Sequence, residues 1–511
     1  MQILIATLQH LRGAISKPDF QEFLVHAGRV GELTLSRYCD NSNNSLKIAP
    51  GTFVRLCQLQ NRDSPGPLLP ALKRLRLDNP DEWSMSQLPL FFTRSLRSLD
   101  VMNFPENQQS VLLSFLITLV DEAPHLATIT FGPGILTTAC FEACLNFLFL
   151  RQLELKEVNT SIDFNLLTAI GQLRELDTLV LDDRGGCYRE DSQEPPIRSV
   201  GFICLKKLHI TGTLTLIRLL CNAVGSAALE DLGLTLVRSA PPPRTQGKKK
   251  SKKVSATGVT EVDSITKDIC DLLQEGSWRH TLKSIYLNHF QDYPDVDSLG
   301  PQIPPKPVDL PVMILDHLLE HTKLEDLEIE GWTLPEAASG HELLFSDTSN
   351  LKTIRLPVGS TASTIHLADL PSIAKSHPDL ISLQCGIKSL SNFTSPPLSI
   401  EMPSHGLKIL SVGSSSEAAD AIIDWKQKLS IAAFLDTLFP NLERIETHFP
   451  KVERIETSFS TFGQIETRAE ANPSEQWGCI YDLVKMCQTS RLIHANRRHS
   501  ASESSTAGDG K

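Results

Sequence analysis

His317-Leu318-Leu319-Glu320-His321 is the segment of this chain whose residue types and spacing could do chemistry. It matches the H-x-x-E-H pattern, in which two imidazoles one helical turn apart hold a zinc ion and the glutamate takes a proton from metal-bound water. On a helical wheel His317, Glu320 and His321 share one face, while Val312, Leu315 and Leu319 point the other way. The solvated outer face of an amphipathic helix has the same pattern. The segment also runs straight into Leu324-Glu325-Asp326-Leu327-Glu328-Ile329, an alternating strand pattern, and a motif needs its structural context. A zinc hydrolase is therefore the lesser reading. No phosphate-binding G-x-x-x-x-G-K-S/T loop, G-x-S-x-G elbow or G-x-G-x-x-G turn occurs, and Gly247-Lys248 lacks both an upstream glycine and a strand. We expect no catalysis, no cofactor and no metal.

The other reactive groups point the same way. The 11 cysteines form no C-x-x-C pair; Cys140 and Cys144 lie one turn apart in an apolar segment, and Cys385 takes a core position. They read as reduced, mostly buried thiols. The net charge of -11 argues against nucleic acid as a partner, because such binding needs a basic footprint. No apolar run approaches the length of a membrane span, so no membrane partner is expected. The opening MQILIATLQHLRGAISK carries no secretory leader, and the expected location is intracellular, cytoplasmic or nuclear. The run Lys248 to Lys253 reads either as a nuclear-import signal or as a solvated loop held open by self-repulsion. Near the end, Arg497-Arg498-His499-Ser500 resembles a basophilic kinase site and makes Ser500 a candidate for phosphorylation.

The elements that must carry these groups follow from a spacing, L-x-x-L-x-L, that recurs along almost the whole chain. It reads Leu72/Leu75/Leu77, Leu96/Leu99/Val101, Leu126/Ile129/Phe131, Leu150/Leu153/Leu155, Leu176/Leu179/Leu181, Leu205/Leu208/Ile210 and Leu229/Leu232/Leu234. It resumes at Leu282/Ile285/Leu287, Leu324/Leu327/Ile329, Leu351/Ile354/Leu356, Leu380/Leu383/Cys385 and Leu407/Leu410/Val412. Degenerate ends stand at Val30/Leu33/Leu35 and Leu442/Ile445/Thr447. First leucines fall 24 residues apart from Leu72 to Leu96, 26 from Leu150 to Leu176 and 29 from Leu351 to Leu380. That is the period of leucine-rich repeats. The L-x-L alternation gives a short strand with one buried face. The residues between read as helix; Gln108 to Ala123 is typical, with Leu112, Phe115, Leu116 and Leu119 at helical spacing. Pro70, Pro124, Pro378 and Pro440 each stand two residues before a first leucine, where proline ends the helix and launches the strand.

The expected fold class is α/β, a leucine-rich-repeat solenoid bent into a horseshoe, with parallel strands on the concave face and helices on the convex face. The asparagine that commonly follows the third apolar position is replaced by Pro80 and Phe104, so no regular asparagine ladder is expected. We divide the chain into a helical N-terminal cap or remnant (1–29), repeats (30–238), a disordered basic insertion (239–260), further repeats (261–470), a capping helix (471–495) and a disordered tail (496–511). After the insertion a helix should resume near Val262, with Ile265, Ile269, Leu272 and Leu273 apolar. Near the end Glu443-Arg444-Ile445-Glu446-Thr447 recurs as Glu453-Arg454-Ile455-Glu456-Thr457, which suggests a small extra strand pairing.

Strand side chains alternate, so the residues flanking the second and third apolar positions should line the concave face and bind a protein. These are Arg74, Arg76 and Asp78; Ser98, Asp100 and Met102; Gln152, Glu154 and Lys156; and Lys207, His209 and Thr211. Later repeats supply Ser284, Tyr286 and Asn288, then Asp326, Glu328 and Glu330, then Thr353 and Arg355. Three consecutive inward carboxylates repel one another and favour solvent or a basic partner. Tyr286 is an aromatic suited to anchoring a contact.

Four stretches carry a resemblance: DFQEFLVHAGRVGELTL (Asp19 to Leu35), GPLLPALKRLRL with LPLFFTRSLRSLDV (Gly66 to Val101), LFPNLERIET (Leu438 to Thr447) and QWGCIYDLVKMCQTSR (Gln476 to Arg491). Together they resemble the repeat region of the F-box/leucine-rich-repeat proteins of mushroom-forming fungi. The resemblance implies the substrate-recognition arm of a ubiquitin-ligase adaptor. The F-box itself, which would dock on the Skp adaptor of a cullin complex, has no counterpart: Met1 to Gly31 can hold at most two helices, without its leucine-proline opening or tryptophan. Skp and cullin are thus expected partners only if an F-box lies upstream. The alternative is a stand-alone repeat scaffold with no ubiquitin link.

Overall fold

The computed structural model describes residues 16–36, 66–80, 88–134, 136–157, 164–184, 201–238, 278–291, 308–310, 323–334, 350–358, 364–388, 405–413, 423–448 and 473–506, with 55, 56, 58, 59, 62, 85, 273, 276, 314, 318, 321, 390 and 393 besides. The chain divides into two compact units, residues 1–255 with 274–281, and residues 256–273 with 282–511.

The first unit opens with helix α1 (Lys17–Ala27), started by a capping box in which Ser16 and Asp19 satisfy each other's backbone N–H. Among the described residues eight parallel strands follow: β1 (Glu32–Ser36), β2 (Arg74–Asp78), β3 (Ser98–Met102), β4 (Thr128–Phe131), β5 (Gln152–Leu155), β6 (Thr178–Asp182), β7 (Lys207–Gly212) and β8 (Asp231–Arg238). Each pairs with the next in chain order. The register places Leu33, Leu75, Leu99, Ile129, Leu153, Leu179, Leu208 and Leu232 in one continuous row. From Leu75 onward that row is buried, each side chain contributing about 2 kcal/mol by leaving water. Helices α2 (Gln109–Glu122), α3 (Thr138–Cys144), α4 (Phe164–Gly171) and α5 (Leu214–Ala223) return the chain to the next strand. Leu112, Phe115, Leu116 and Leu119 of α2 are all buried, as their spacing requires. Phe131 of β4 meets Phe141 of α3 edge to face at 5.8 Å. Cys140, Cys144 and Cys221 are buried free thiols, and burial pushes Cys221 up to about 12, which removes its nucleophilic form.

Asparagine does appear in the turns after the strands, one position earlier than a ladder would place it. Asn79 and Asn103 have φ of 45° and 50°, the left-handed region that asparagine tolerates. The Asn79 N–H donates to Met102 O (2.9 Å), and Asn103 Nδ2 donates to Asp78 Oδ1 (3.0 Å). Pro80 and Phe104 are then free to be buried.

The second unit has a parallel ladder of β9 (Ser284–Gln291), β11 (Asp326–Glu330), β13 (Thr353–Arg355), β15 (Ser382–Ile387), β16 (Ile409–Gly413) and β17 (Arg444–Thr447), in that order. Strand β14 (Thr364–Ile365) adds to β15, while β10 (Val308–Asp309) and β12 (Trp332–Thr333) pair off the ladder. Its described helices are α6 (Leu370–Ser376), α7 (Trp425–Leu438) and α8 (Pro473–Thr506). His405 fastens two repeats from inside: Leu407 N–H donates to its Nδ1 (3.1 Å), so Nε2 carries the proton and donates to His377 O (2.7 Å).

Helix α8 caps β17, the last described strand. Trp477, Ile480, Leu483 and Val484 are buried. The row Tyr481, Lys485, Gln488 and Arg491 donates to the carbonyls of Glu443, Leu442, Leu442 and Pro440, at 2.7, 2.9, 3.0 and 2.9 Å. Those carbonyls belong to the turn entering β17. The helix runs on to Thr506, past the boundary at 495, so the backbone at Ser500 is helical where a disordered tail was expected. No described helix is long and apolar enough to cross a membrane.

The basic insertion 239–260 with its lysine run, and the second copy at 453–457, lie outside the described residues. Of the helix expected after Val262, Leu273 alone is described; it is helical and buried. In the H-x-x-E-H segment His317 and Glu320 are also outside, but His321 is 3% exposed, with Ile314 and Leu318 fully buried. His321 therefore belongs with Leu318 on the core stripe and not on a solvated face, where the wheel had set it.

Gly331 has φ +69°, and a Cβ there would lie 2.1 Å from His289 O, whereas a Cβ on Gly406 meets nothing within 4 Å. Gly331→Ala should lower the urea-unfolding free energy by about 3 kcal/mol and Gly406→Ala by under about 1 kcal/mol. Equal midpoints for the two variants would contradict this backbone geometry.

Candidate functional site

With the leucines turned into the core, the alternate positions of each strand form an open face. In the first unit the middle row of that face runs Thr34, Arg76, Asp100, Thr130, Glu154, Val180, His209, Gly233. The row before it runs Glu32, Arg74, Ser98, Thr128, Gln152, Thr178, Lys207, Asp231. Parallel neighbours 4.8 Å apart bring these side chains within reach of one another.

The charges settle into pairs along the face. Arg74 places Nη2 at 2.6 Å and Nε at 2.8 Å from Asp100 Oδ2, one strand over and two positions on. The hydrogen bond and charge of Asp100 raise the Arg74 guanidinium further, and Asp100 is only 5% exposed. Lys156 Nζ lies 2.6 Å from Glu154 Oε2, and Gln152 Nε2 donates to Oε1 (2.5 Å). Burial works to raise the Glu154 carboxyl, but the bonds from Lys156 and Gln152 and the charges of Lys156 and Lys207 outweigh it and hold it below its ordinary value.

At β7 and β8, Lys207 Nζ (2.7 Å) and His209 Nε2 (3.0 Å) both engage Asp231. Gly233 stands opposite His209; a Cβ there would come within 2.8 Å of the imidazole, so glycine lets the ring reach across to Asp231. Burial pushes the Asp231 carboxyl up, yet the hydrogen bonds from His209 and Lys207 prevail and leave it lowered. Arg184 pairs with Glu157 (2.9 Å) and Asp182 (3.1 Å), and at Asp182 burial wins, so that carboxyl is raised. Asp182 and Asp231 were absent from the sequence-based list. The alternation that selected Lys207 selects them too, since each sits beside an inward leucine of β6 or β8.

In the second unit the middle row is Tyr286, Glu328, Arg355, Gln384, Ser411, Glu446. Here the balance is acidic around β11. Arg355 Nη1 reaches both oxygens of Glu328 (3.2 and 3.3 Å). Glu330 Oε2 accepts from the Tyr286 hydroxyl (3.2 Å), which in turn accepts from Asn288 Nδ2 (2.8 Å). Burial, followed by the Glu330 charge, pushes Tyr286 up to about 12. Burial also raises Glu328 against the pull of Arg355, with Glu330 adding to the rise. Among the described residues no cluster of three or more histidine, cysteine or carboxylate side chains is arranged to hold a metal. Ser500 lies on α8, in a part whose side chains are not described.

No protein-family model matches this chain, and no curated protein matches it. Solved structures similar to it include an internalin from Listeria monocytogenes (13% identity, 90% of this chain and 94% of that one, TM-score 0.29). Others are the Rad7 and Elc1 complex of yeast (13%, 82% and 89%, TM-score 0.37) and a leucine-rich-repeat protein of Leptospira interrogans (16%, 73% and 82%, TM-score 0.32). Superpositions this loose carry no argument about function, and the repeat fold rests on the strand ladders and their leucine rows.

Because the folded Asp231 carboxyl lies below its unfolded value of about 3.9, its stabilisation is complete above that pH and is lost as pH falls through the lower folded value. Asp231→Asn should cost about 1 kcal/mol in urea unfolding at pH 7, and the gap to wild type should close toward pH 2. A gap independent of pH would show that the ion pairs are not its source.

Proposed function

We propose that the open strand face binds a protein and that the chain acts as the recognition arm of an F-box-type ubiquitin-ligase adaptor. One observation carries the binding part. The rows of the face are in register over many strands, which fixes charged, polar and aromatic side chains on a rigid, extended array. Such an array suits a large partner and not a small molecule, which needs a concave pocket with convergent polar groups. The apolar cavity among Leu167, Gly171, Phe202, Leu220 and Ala223 draws its lining from α4, α5 and a turn, not from the face. The ubiquitin part is supported by the resemblance of the four stretches to fungal F-box/leucine-rich-repeat proteins. A non-catalytic role belongs to the same reading.

Amine-reactive crosslinking of the purified chain to proteins it captures should place crosslinks at Lys156 and Lys207 on the face, ahead of Lys375 and Lys428 on α6 and α7. Crosslinks confined to the helical lysines would refute the binding face. For the ubiquitin part, purified Skp adaptor should be captured by the product of the longest transcript of the locus; if no product captures it, the stand-alone scaffold is the function. Elemental analysis should find zinc far below one equivalent, and a stoichiometric amount would restore the hydrolase reading of His317 and His321.

A further inference from the structure

Among the described residues, the pairing of charges on the first unit's face leaves one cation with little to do. Arg76 is in the middle row, and its cross-strand partner in register is Asp100. Opposite charges so placed would ordinarily join. Arg74 has taken that carboxylate instead, with two nitrogens on a single oxygen. What remains to Arg76 is a long contact from Nη2 to Asp78 Oδ2 at 3.5 Å. Asp78 is itself held by Asn103, at its other oxygen. Arg76 Nε is buried without an acceptor, while the side chain as a whole is 42% exposed. A guanidinium has five N–H donors in a planar fork suited to a carboxylate, and a buried donor left unmet is unfavourable. The other described cations of this face, Arg74, Lys156, Arg184, Lys207, all have carboxylates at 3.1 Å or less.

The surroundings suit a guest. On β1 the neighbour in the row is Thr34, small and exposed. On β3 the next position along the face is Met102, half-exposed, whose Sδ lies over Gly132 in the place a Cβ would take. Methionine adapts its shape to what it meets. Asp100 offers little repulsion to an incoming anion, since Arg74 neutralises it.

We infer that Arg76 anchors the partner by receiving a carboxylate, from an acidic side chain or a chain terminus of a protein segment laid across β1 to β3 beside Thr34 and Met102. This rests on the reading that the strand face binds protein, and it adds the chemistry of the partner and the residue that holds it.

The test is a peptide-phage selection of random dodecamers against the full chain, followed by binding measurements with the enriched peptides. They should carry aspartate or glutamate, and amidating that carboxylate should abolish binding. Arg76→Lys keeps the charge but loses the fork, and should weaken binding at least about tenfold. Arg174→Lys, at an exposed position preceding β6 and off the face, should leave it unchanged. Peptides without acidic enrichment, no binding peptides at all, or equal affinity for Arg76→Lys and wild type would each overturn the inference. Binding that survives Arg76→Lys but is lost in Lys156→Glu would leave the strand face standing with a different anchor. Binding indifferent to both would remove the two readings together.

Discussion

Everything in this molecule depends on one constraint: a strand of four or five residues with a leucine at every second position cannot bury that face alone. It must be stacked on its like. In-register parallel pairing from Leu75 to Leu232 turns separate leucines into a continuous apolar row, and the same pairing turns the alternate positions into continuous polar rows. The polar strand face is therefore a by-product of core formation. A one-residue slip in any strand would move its charges into the core, so the register that stabilises the fold also fixes the geometry of the face.

This explains which parts could be read in advance. The strands, their apolar positions and the outward residues follow from period-two alternation alone, and Arg74, Glu154, Lys207, Tyr286 and Glu328 all lie where it puts them. Helix α2 follows from the spacing of Leu112, Phe115, Leu116 and Leu119. The partners of the outward residues were not legible. That Arg74 would reach diagonally to Asp100, ahead of the directly opposed Arg76, depends on side-chain length and on distances between strands, which no spacing within one strand encodes. The asparagines at Asn79 and Asn103 were missed for a related reason: a ladder template looks at one offset, while the turn needs a left-handed residue directly after the strand.

His321 shows how a motif competes with packing. Two histidines and a glutamate at metal-binding spacing are attractive by residue type, but position 321 falls with Ile314 and Leu318 on the stripe that enters the core. A core histidine is held by packing against its neighbours and is withdrawn from water, where an incoming metal would first meet it. His405 is the developed form of the same use, an imidazole whose two nitrogens join a backbone donor to a backbone acceptor. In a repeat protein the irregular turns leave orphan peptide groups, and a buried histidine can meet one of each kind.

The two units treat charge differently although they share one construction. On the first, nearly every carboxylate of the face has a cation within one strand, and the pairs lie partly buried, where their attraction is less screened. Such pairs hold side chains in fixed rotamers and lower the entropy lost when a partner docks. On the second, Glu328 is met by Arg355 and Glu330 by the Tyr286 hydroxyl, and burial, aided by the Glu330 charge, raises the Glu328 carboxyl against the pull of Arg355. Among the described cations of the first unit's face, Arg76 keeps the least-used fork. A partner bringing positive charge would be favoured beside Glu328 and Glu330 of the second unit, as an acidic one would be beside Arg76 of the first, because complementary charge selects a partner and like charge rejects it.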